Sequence, residues 1–419
     1  LLNHQKRSGS RGERPVIRFR RTAPEADDQG VVTSTPLAAS QVTCTLVDRA
    51  DALETYGKAW DALAASLPQC LPMLTHAWVA TYLERMEVPQ GDWLALVAQD
   101  GDAFVGVLVG VVEGAVLRVP CDYHTEDGDV VLAPGRERES LEALLAALRH
   151  HRPAVQAISL GAVREDSPTQ AALAAGLRGW SVARESAVDG SSFVIGGDAD
   201  AWFKELSKNL RSDLKRSANK IRKADLGEPA FTFLTGAAAT PELLDDLMGL
   251  EASGWKGESG SAIARDEGTE TKYRLLARRY AERGMLEWHR LHLGERLVAM
   301  HMAVRMGDKL MLLRQAFENE LAKYGVGNLL LRQAVEREHE RGPGGEINLV
   351  TDYPWCRRWR MARTGYDHVV LARRRPWPWL RRILPVRLRQ WARSTPGVRW
   401  AVDRVRSGSD AGAEGAASR

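Results

Sequence analysis

DKLMLLRQAFENELAKYGVGNLLL, residues 308–331, opens as a strand, passes through a short loop carrying Gly325-Val326-Gly327, and continues as the helix LLLRQAVEREHE. Two glycines between a strand and a helix start leave backbone N–H groups uncovered and let a ligand approach the main chain closely. The positive end of the helix dipole points the same way, so such a loop can hold phosphate oxygens without a lysine. The same glycines also fit a plain turn that needs positive φ.

Outward from this loop, the hydrophobic pattern divides the chain into two runs of similar order. The second run starts with a helix over 200–224, then the strand AFTFLTG, helices over 241–253 and 269–283, and the strands MLEWHRLHLG, RLVAMHMAVRMG and DKLMLLRQAFE. The glycine loop, its helix through His339, and the strands EINLVT and GYDHVVLARR complete it. The first run has the strand TCTLVDR and helices over 52–66 and 76–86, followed by WLALVAQD, AFVGVLVGVVEG and AVLRVPCD. A helix over 139–149, the strand AVQAISLGAV, a helix over 168–175, and the strands WSVARES and SSFVIGG follow. In both runs helices lead into a meander, another helix follows, and two strands close the unit, so a tandem fold is expected from element order. No Gly-x-Gly precedes a helix at the matching place in the first run, where LAPGRERESLEALL offers only Gly135, so the second run is expected to carry the site.

Bulk properties agree with a globular protein of two domains. The chain has 419 residues, 44% of them hydrophobic and 27% charged, enough for two sizeable cores. Four cysteines lie far apart with no CxxC spacing, which excludes a disulfide framework and a zinc site as expectations, and points to a reducing, cytoplasmic setting. The longest uncharged apolar run, Ala103 to Val112, is ten residues, a buried strand rather than a membrane span. The N-terminal arginines precede no apolar stretch, so no secretory signal is read there, and Leu1 in place of Met leaves the true start open. Residues 1–40 read as disordered, 41–198 as a first domain, 199–375 as a second, and 376–419 as a basic tail that is disordered at its end.

The net charge of +4 is small but unevenly placed. The helix over 200–224 has an apolar stripe of Phe203, Leu206, Leu210, Leu214 and Ile221, and a surface rich in lysine and arginine. That surface fits the solvated face of a packed helix, and equally a platform for tRNA or for the phosphates of an acyl carrier. The tail interleaves Arg381, Arg382, Arg387, Arg389 and Arg393 with Trp377, Trp379, Leu380, Leu388, Trp391 and Trp400. Arginine beside tryptophan suits the headgroup region of an anionic membrane, which would set the protein at the inner membrane face. A helix docking its tryptophans on the body fits as well.

Three stretches resemble a known family. WDALAASLPQCLPMLTHAWVATYLE, through Trp60, Leu63, Trp78 and Tyr82, is similar to the opening of GNAT-superfamily acetyltransferases of the cellulose-biosynthesis CelD type. LSKNLRSDLKRSANKIRK resembles their basic linker helix, and LEASGWKGESGSAI matches an E-x-x-x-W-K-G-x-x-G-x-x-I signature through Glu251, Trp255, Lys256, Gly257, Gly260 and Ile263. The glycine loop falls where the GNAT pattern Q/R-x-x-G-x-G/A does, although Ala322 holds the Gln/Arg place and the family more often shows Ser-Pro-Gly at this loop. The downstream D…Y-K-x-x-W element survives as Asp352 and WCRRW, with Cys356 at the lysine. The resemblance covers about residues 41–375. It implies an α/β (α+β) fold of two tandem GNAT-like units, each a mixed, mainly antiparallel sheet flanked by helices, an arrangement shared with Fem-type peptidyltransferases.

It further implies transfer of an acyl group from acetyl-CoA or another acyl-CoA to an amine or hydroxyl, with a glycan-type or small-molecule acceptor in polysaccharide or cell-envelope metabolism. The N–H groups from Lys323 to Asn328, hence Lys323, Gly325, Val326, Gly327 and Asn328, would hold the pyrophosphate. The strand end Gln315, Ala316 and Phe317 would lie beside the thioester. Glu251 is the first candidate base, Asp352 the second, and Tyr324 a candidate donor to the leaving thiolate. A salt bridge from Glu251 to Lys256, and a Tyr324 packed under the loop, are the structural alternatives. Trp255, Lys256, His301 and Arg314 are candidates for the acceptor side, with loop anchoring and core packing as the alternatives. Two other functions stay open: a Fem-like aminoacyl-tRNA-dependent transferase, and a catalytically inactive, membrane-peripheral scaffold.

Overall fold

A computed structural model describes residues 34–36, 42–86, 88–121, 127–187, 189–253, 263, 266–349 and 352–394, which fall in one compact unit. In chain order the first half has β1 (Ser34–Pro36), β2 (Val42–Val47), α1 (Ala50–Glu54), α2 (Gly57–Ser66), α3 (His76–Arg85), β3 (Trp93–Asp100), β4 (Ala103–Glu113), β5 (Val116–Arg118) and β6 (Val131–Leu132). It continues with α4 (Glu137–His151), β7 (Ala157–Arg164), α5 (Pro168–Ala174), β8 (Trp180–Ser186) and β9 (Gly190–Val194). The second half has α6 (Ala199–Glu205), α7 (Lys208–Lys223), β10 (Pro229–Leu234), α8 (Leu244–Ser253), α9 (Glu267–Glu282), β11 (Leu286–Leu293), β12 (Arg296–Met306) and β13 (Lys309–Phe317). Then come α10 (Val326–Arg341), β14 (Glu346–Asn348), β15 (Ala362–Thr364), β16 (Tyr366–Arg373) and α11 (Leu384–Ser394).

These elements build two mixed, mainly antiparallel sheets flanked by helices. The strand orders are β1-β2-β3-β4-β5-β7-β16-β8, with β6 added to β4, and β10-β11-β12-β13-β14-β9-β15. The central strands β3 and β4 are apolar on both faces because helices cover both sides. On one face α4 buries Leu141, Leu144, Leu145 and Leu148, one stripe at helical spacing. On the other, α1 to α3 enter a core shared with α8, α9 and the second sheet, where Trp60, Trp78, Tyr280, Trp288 and Met302 meet. Tyr280 Oη donates to Pro72 O at 3.0 Å and Arg283 pairs with Asp61 at 2.7 Å, tying α9 to the first half.

The closing strands depart from the expectation that each run closes its own sheet. β9 lies between β14 and β15 in the second sheet, and β16 lies between β7 and β8 in the first. Each half therefore completes the other's sheet. The two chain segments cross where Ala187 N–H donates to Tyr366 O at 2.8 Å. Gly190 makes the crossing possible, since a Cβ there would stand 3.0 Å from the Tyr366 ring. Arg164 on β7 reinforces it with two hydrogen bonds of 3.2 Å to Glu346 on β14.

The helix expected over 200–224 is two helices. Leu206 and Ser207 are extended, and Ser207 Oγ caps α7 by accepting the Leu210 N–H at 3.2 Å. A serine cap outcompetes continuation of the helix. Asp198 caps α6 in the same way. The helix expected over 52–66 is likewise interrupted, between α1 and α2.

Candidate functional site

The second sheet opens beside β13. β13 and β14 pair in parallel only from Lys309–Met311 to Glu346–Asn348. From Leu312 to Phe317, β13 continues with β12 on one edge and, among the described residues, no strand on the other. Gln315, Ala316 and Phe317 sit on this stretch. A groove between splayed parallel strands admits an extended ligand alongside main chain.

After Phe317 the chain makes a 3₁₀ turn, Asn319–Tyr324, and Gly325 takes φ +68° before α10 starts. Gly325 donates its own N–H to Ala322 O at 3.0 Å, while its carbonyl accepts from Leu329 N–H at 3.1 Å. α10 has no side-chain cap and no acidic residue in its first turn. Among the described residues, nothing accepts from the N–H groups of Val326, Gly327 and Asn328, the helix-start donors that lack an intrahelical partner. Of the expected span 323–328, Val326 is fully buried, Gly327 is partly exposed and Asn328 is exposed, with Lys323 exposed beside them and its Nζ 5.2 Å from the centre of the Tyr324 ring. Tyr324 is half-buried against the core beneath the loop. The glycines fit tightly: a Cβ on Gly325 would stand 2.7 Å from Ser217 Oγ, and one on Gly327 3.1 Å from the Phe317 ring.

Ser217 belongs to α7, so the basic helix borders the glycine loop. Leu210, Leu214 and Ile221 of α7 share a core with Leu321, Val326, Leu329 and Leu330. Lys215, Arg216 and Lys220 are exposed. This adjacency has no signal in the local sequence, because Ser217 is a small polar residue in mid-helix.

A buried ionic layer pins α10 to the sheet beneath it. Arg305 on β12 binds Glu338 of α10 through both oxygens, at 2.7 and 2.9 Å, and also donates to Glu287 on β11. Arg337 reaches Glu287 at 3.0 Å. Burial alone would raise the Glu287 pKa, but His289 and Arg305 outweigh it and hold the carboxyl well below the usual range. Burial pushes His289 down, toward the neutral form. His301 is buried in the same layer, opposite both His289 and Gln315 in register, with its ring 5.7 Å from that of His289. The structure thus places His301 in the sheet interior.

The two candidate bases occupy different surroundings. Glu251, on α8, is fully enclosed; its Oε2 accepts from Ile263 N–H at 3.0 Å and from Arg314 at 3.2 Å. Arg314, on β13, also lies over the Tyr273 ring at 5.0 Å. Asp352 follows β14 and accepts from Ser191 Oγ at 2.6 Å and pairs with Arg363 at 3.0 Å. The exchanged strand β9 thus supplies the hydroxyl that orients Asp352. Trp255, Lys256, Gly257 and Gly260 lie outside the described residues, as does the expected pairing of Glu251 with Lys256.

Residues 208–357 match the family model for the acetyltransferase (GNAT) domain, a span that includes the splayed strands, the glycine loop and α10. Among solved structures the chain is similar to FemX, at 13% identity over 74% of this chain and 95% of that one, with a TM-score of 0.52. Likenesses with lower scores include a tandem GNAT protein from the clavulanic acid biosynthesis pathway, at 13% identity over 80% of this chain and 99% of that one, TM-score 0.42. Another is L-PGS from Bacillus licheniformis, at 12% over 74% and 91%, TM-score 0.46. At those scores the last two are resemblances of outline. No curated protein matches the chain.

Proposed function

We propose that the chain is an acyltransferase that moves an acyl group from acyl-CoA to an amine or hydroxyl. The observation that carries this reading is the uncapped start of α10, where Gly327 and Asn328 reach the surface, beside the stretch of β13 that has no neighbouring strand on one edge among the described residues. The residues present fit a diphosphate. The helix-start donors of Gly327 and Asn328 have no competing side-chain cap, and a side chain on Gly325 would meet Ser217. The exposed cations of α7 add favourable potential from one side. Gly327 and Asn328 would hold the diphosphate, and Gln315–Phe317 would line the thioester end. Asp352, positioned by Arg363 and Ser191, would take the acceptor's proton directly or through water, while Tyr324 returns one to the thiolate. Glu251 would orient Arg314 from behind, or act as the base in its place. The CelD-type resemblance supports an acceptor in polysaccharide or envelope metabolism.

Calorimetry and thermal shift with acetyl-CoA, longer acyl-CoAs and free CoA test the donor; no heat and no shift with any of them would sink the proposal. Once an acceptor is found, Asp352→Asn lowers kcat by roughly 100-fold or more if Asp352 is the base, and Glu251→Gln does so if Glu251 is.

The exposed cationic face of α7 favours a second reading, a Fem-like transferase fed by aminoacyl-tRNA. A gel shift with tRNA that stays absent at low salt dismisses it.

A further inference from the structure

Beyond β16 the chain forms a helical arm: a turn at Pro376–Pro378, a π-helical turn at Trp379–Ile383, and α11. One side of the arm docks on the first sheet. Ile383 and Val386 are buried with Val116, Ala157, Ala183 and Ala372, and Trp379 packs against them. Arg389 pairs with Glu185 at 3.1 Å, and Gln390 donates to the carbonyl of Arg184. The opposite side faces solvent. Trp377 is 62% exposed, Leu380 47%, Leu388 53% and Trp391 59%. Trp377 and Leu380 are three residues apart, as are Leu388 and Trp391, the spacing of neighbours on one helix face. Met86, Val194 and Tyr353, the other large apolar side chains exposed among the described residues, form no such stripe.

Charge singles out the same surface. From His368 to Val402 the sequence has no aspartate or glutamate. Arg381 stacks over the Trp377 ring at 4.2 Å, and Arg382 and Arg387 are exposed. At the root of the arm, Arg149, Arg373, Arg374 and Arg375 gather around Gly179 and Trp180. Arg373 is buried over the Trp180 ring, and its Nε and Nη2 have no hydrogen-bond partner. Burial first, then the charges of Arg375 and Arg149, push its pKa below the ordinary guanidinium value. Among the described residues no carboxylate pairs with any of the four. Arg374 and Arg375 also line a groove with Ser181, Pro376, Trp379 and Leu380. Four clustered cations without a counter-ion, one of them buried, call for an anion from outside.

We propose that this arm docks the protein on an anionic phospholipid bilayer, with Trp377, Leu380, Leu388 and Trp391 entering the interfacial layer and the arginine cluster at its root receiving lipid phosphates. Tryptophan at each end of the stripe and arginines along it match the headgroup boundary in depth and in charge. No helix of the described residues is long and apolar enough to cross a membrane, so the arm lies on the surface rather than through it. The proposal stands independently of the acyltransferase reading.

Co-sedimentation of the full chain with vesicles tests it. Vesicles of phosphatidylcholine mixed with phosphatidylglycerol should pull the protein down, with tryptophan emission shifting to the blue, and added salt should release it. Pure phosphatidylcholine should bind little. Trp377→Ser with Leu388→Ser and Trp391→Ser should weaken binding by more than about tenfold, with the thermal melt little changed, because these side chains are more than half exposed. Each of Arg375→Gln and Arg381→Gln should weaken it by about fivefold. Equal binding to neutral and anionic vesicles, or undiminished binding by the triple variant, overturns the proposal. So does a thermal upshift with inorganic phosphate in a protein that ignores vesicles, which would assign the cluster to a soluble anion.

Discussion

The starts of α4 and α10 stand at matching places in the two halves: each helix links a pair of parallel strands, β5 with β7 and β13 with β14. They differ in what occupies the helix start. Before α4, Gly135 has φ +81° and donates its N–H to Glu137 at 2.8 Å. Glu137 and Glu139 fill the first turn, and Arg136 bridges Glu139 and Asp100. Before α10, Gly325 is also left-handed, but no carboxylate and no cap follows it. The adjoining gaps differ too. Beyond β5 a bridge from Asp127 to Ala162 partly closes the first sheet, whereas from Leu312 β13 keeps β12 on one edge and, among the described residues, has no strand on the other. The start of α4 is thus occupied by its own carboxylates, whereas that of α10 is left without one, and only the latter suits the anion proposed above.

That contrast needs the two halves to hold each other in place, and the largest expected effect tests this hold. Glu346→Ala would leave the nearly buried Arg164 with only Asp166, 3.0 Å away. Losing one partner of a buried pair costs about 3 kcal/mol, read by urea denaturation. The same pair sets an acid limb. Burial would raise the Glu346 pKa, but Arg164 and Lys309 outweigh it and the net shift is downward. Its stabilisation is therefore complete above the ordinary glutamate value of about 4.3 and fades as pH falls through the depressed one. Glu346→Gln should flatten the melting temperature between roughly pH 5 and pH 3. An unchanged acid limb would show that the halves are joined elsewhere.

The next effect separates the two glycines. Valine at either position meets a positive φ, worth about 1–2 kcal/mol. Around Gly135 nothing lies within 4 Å of the added carbon, while at Gly325 it meets Ser217. Gly135→Val should cost only the backbone strain and leave acyl-CoA binding intact. Gly325→Val should cost more and abolish binding. Equal behaviour of the two variants would remove the distinction between the halves.

Much of this architecture was legible in the sequence, because strands buried on both faces read as apolar runs. WLALVAQD and WSVARES coincide with β3 and β8, residue for residue. The exchange of β9 and β16 was not legible. A closing strand is apolar whichever sheet it joins, and pairing partners leave no mark on local pattern. The break at Leu206-Ser207 was masked by apolar spacing that continues through it, although Ser207 was a readable cap. The pairing of Arg314 with Glu251 was not legible either: the sequence offered Lys256 as a partner for Glu251, and nothing local joins residues 63 positions apart. In the tail, Trp377 and Trp379 are two residues apart, so one faces out while the other packs inward. Composition alone could not divide them.

The smallest effect is the most discriminating, because stability and binding should move in opposite directions. Asn328→Asp places a carboxylate in the first turn of α10, copying the arrangement of α4. The exposed position imposes no packing cost. An anion at a helix start adds about 0.5 kcal/mol, visible as a slight rise in melting temperature without ligand. The same carboxylate would compete for the N–H groups and repel a diphosphate, so the upshift produced by acyl-CoA should shrink or vanish. The reverse exchange, Glu137→Gln with Glu139→Gln, should lower stability by a similar amount. It should confer no acyl-CoA binding, because the Asp127–Ala162 bridge still partly closes the neighbouring gap. If Asn328→Asp stabilises the chain and binding persists undiminished, the diphosphate is held somewhere other than the start of α10.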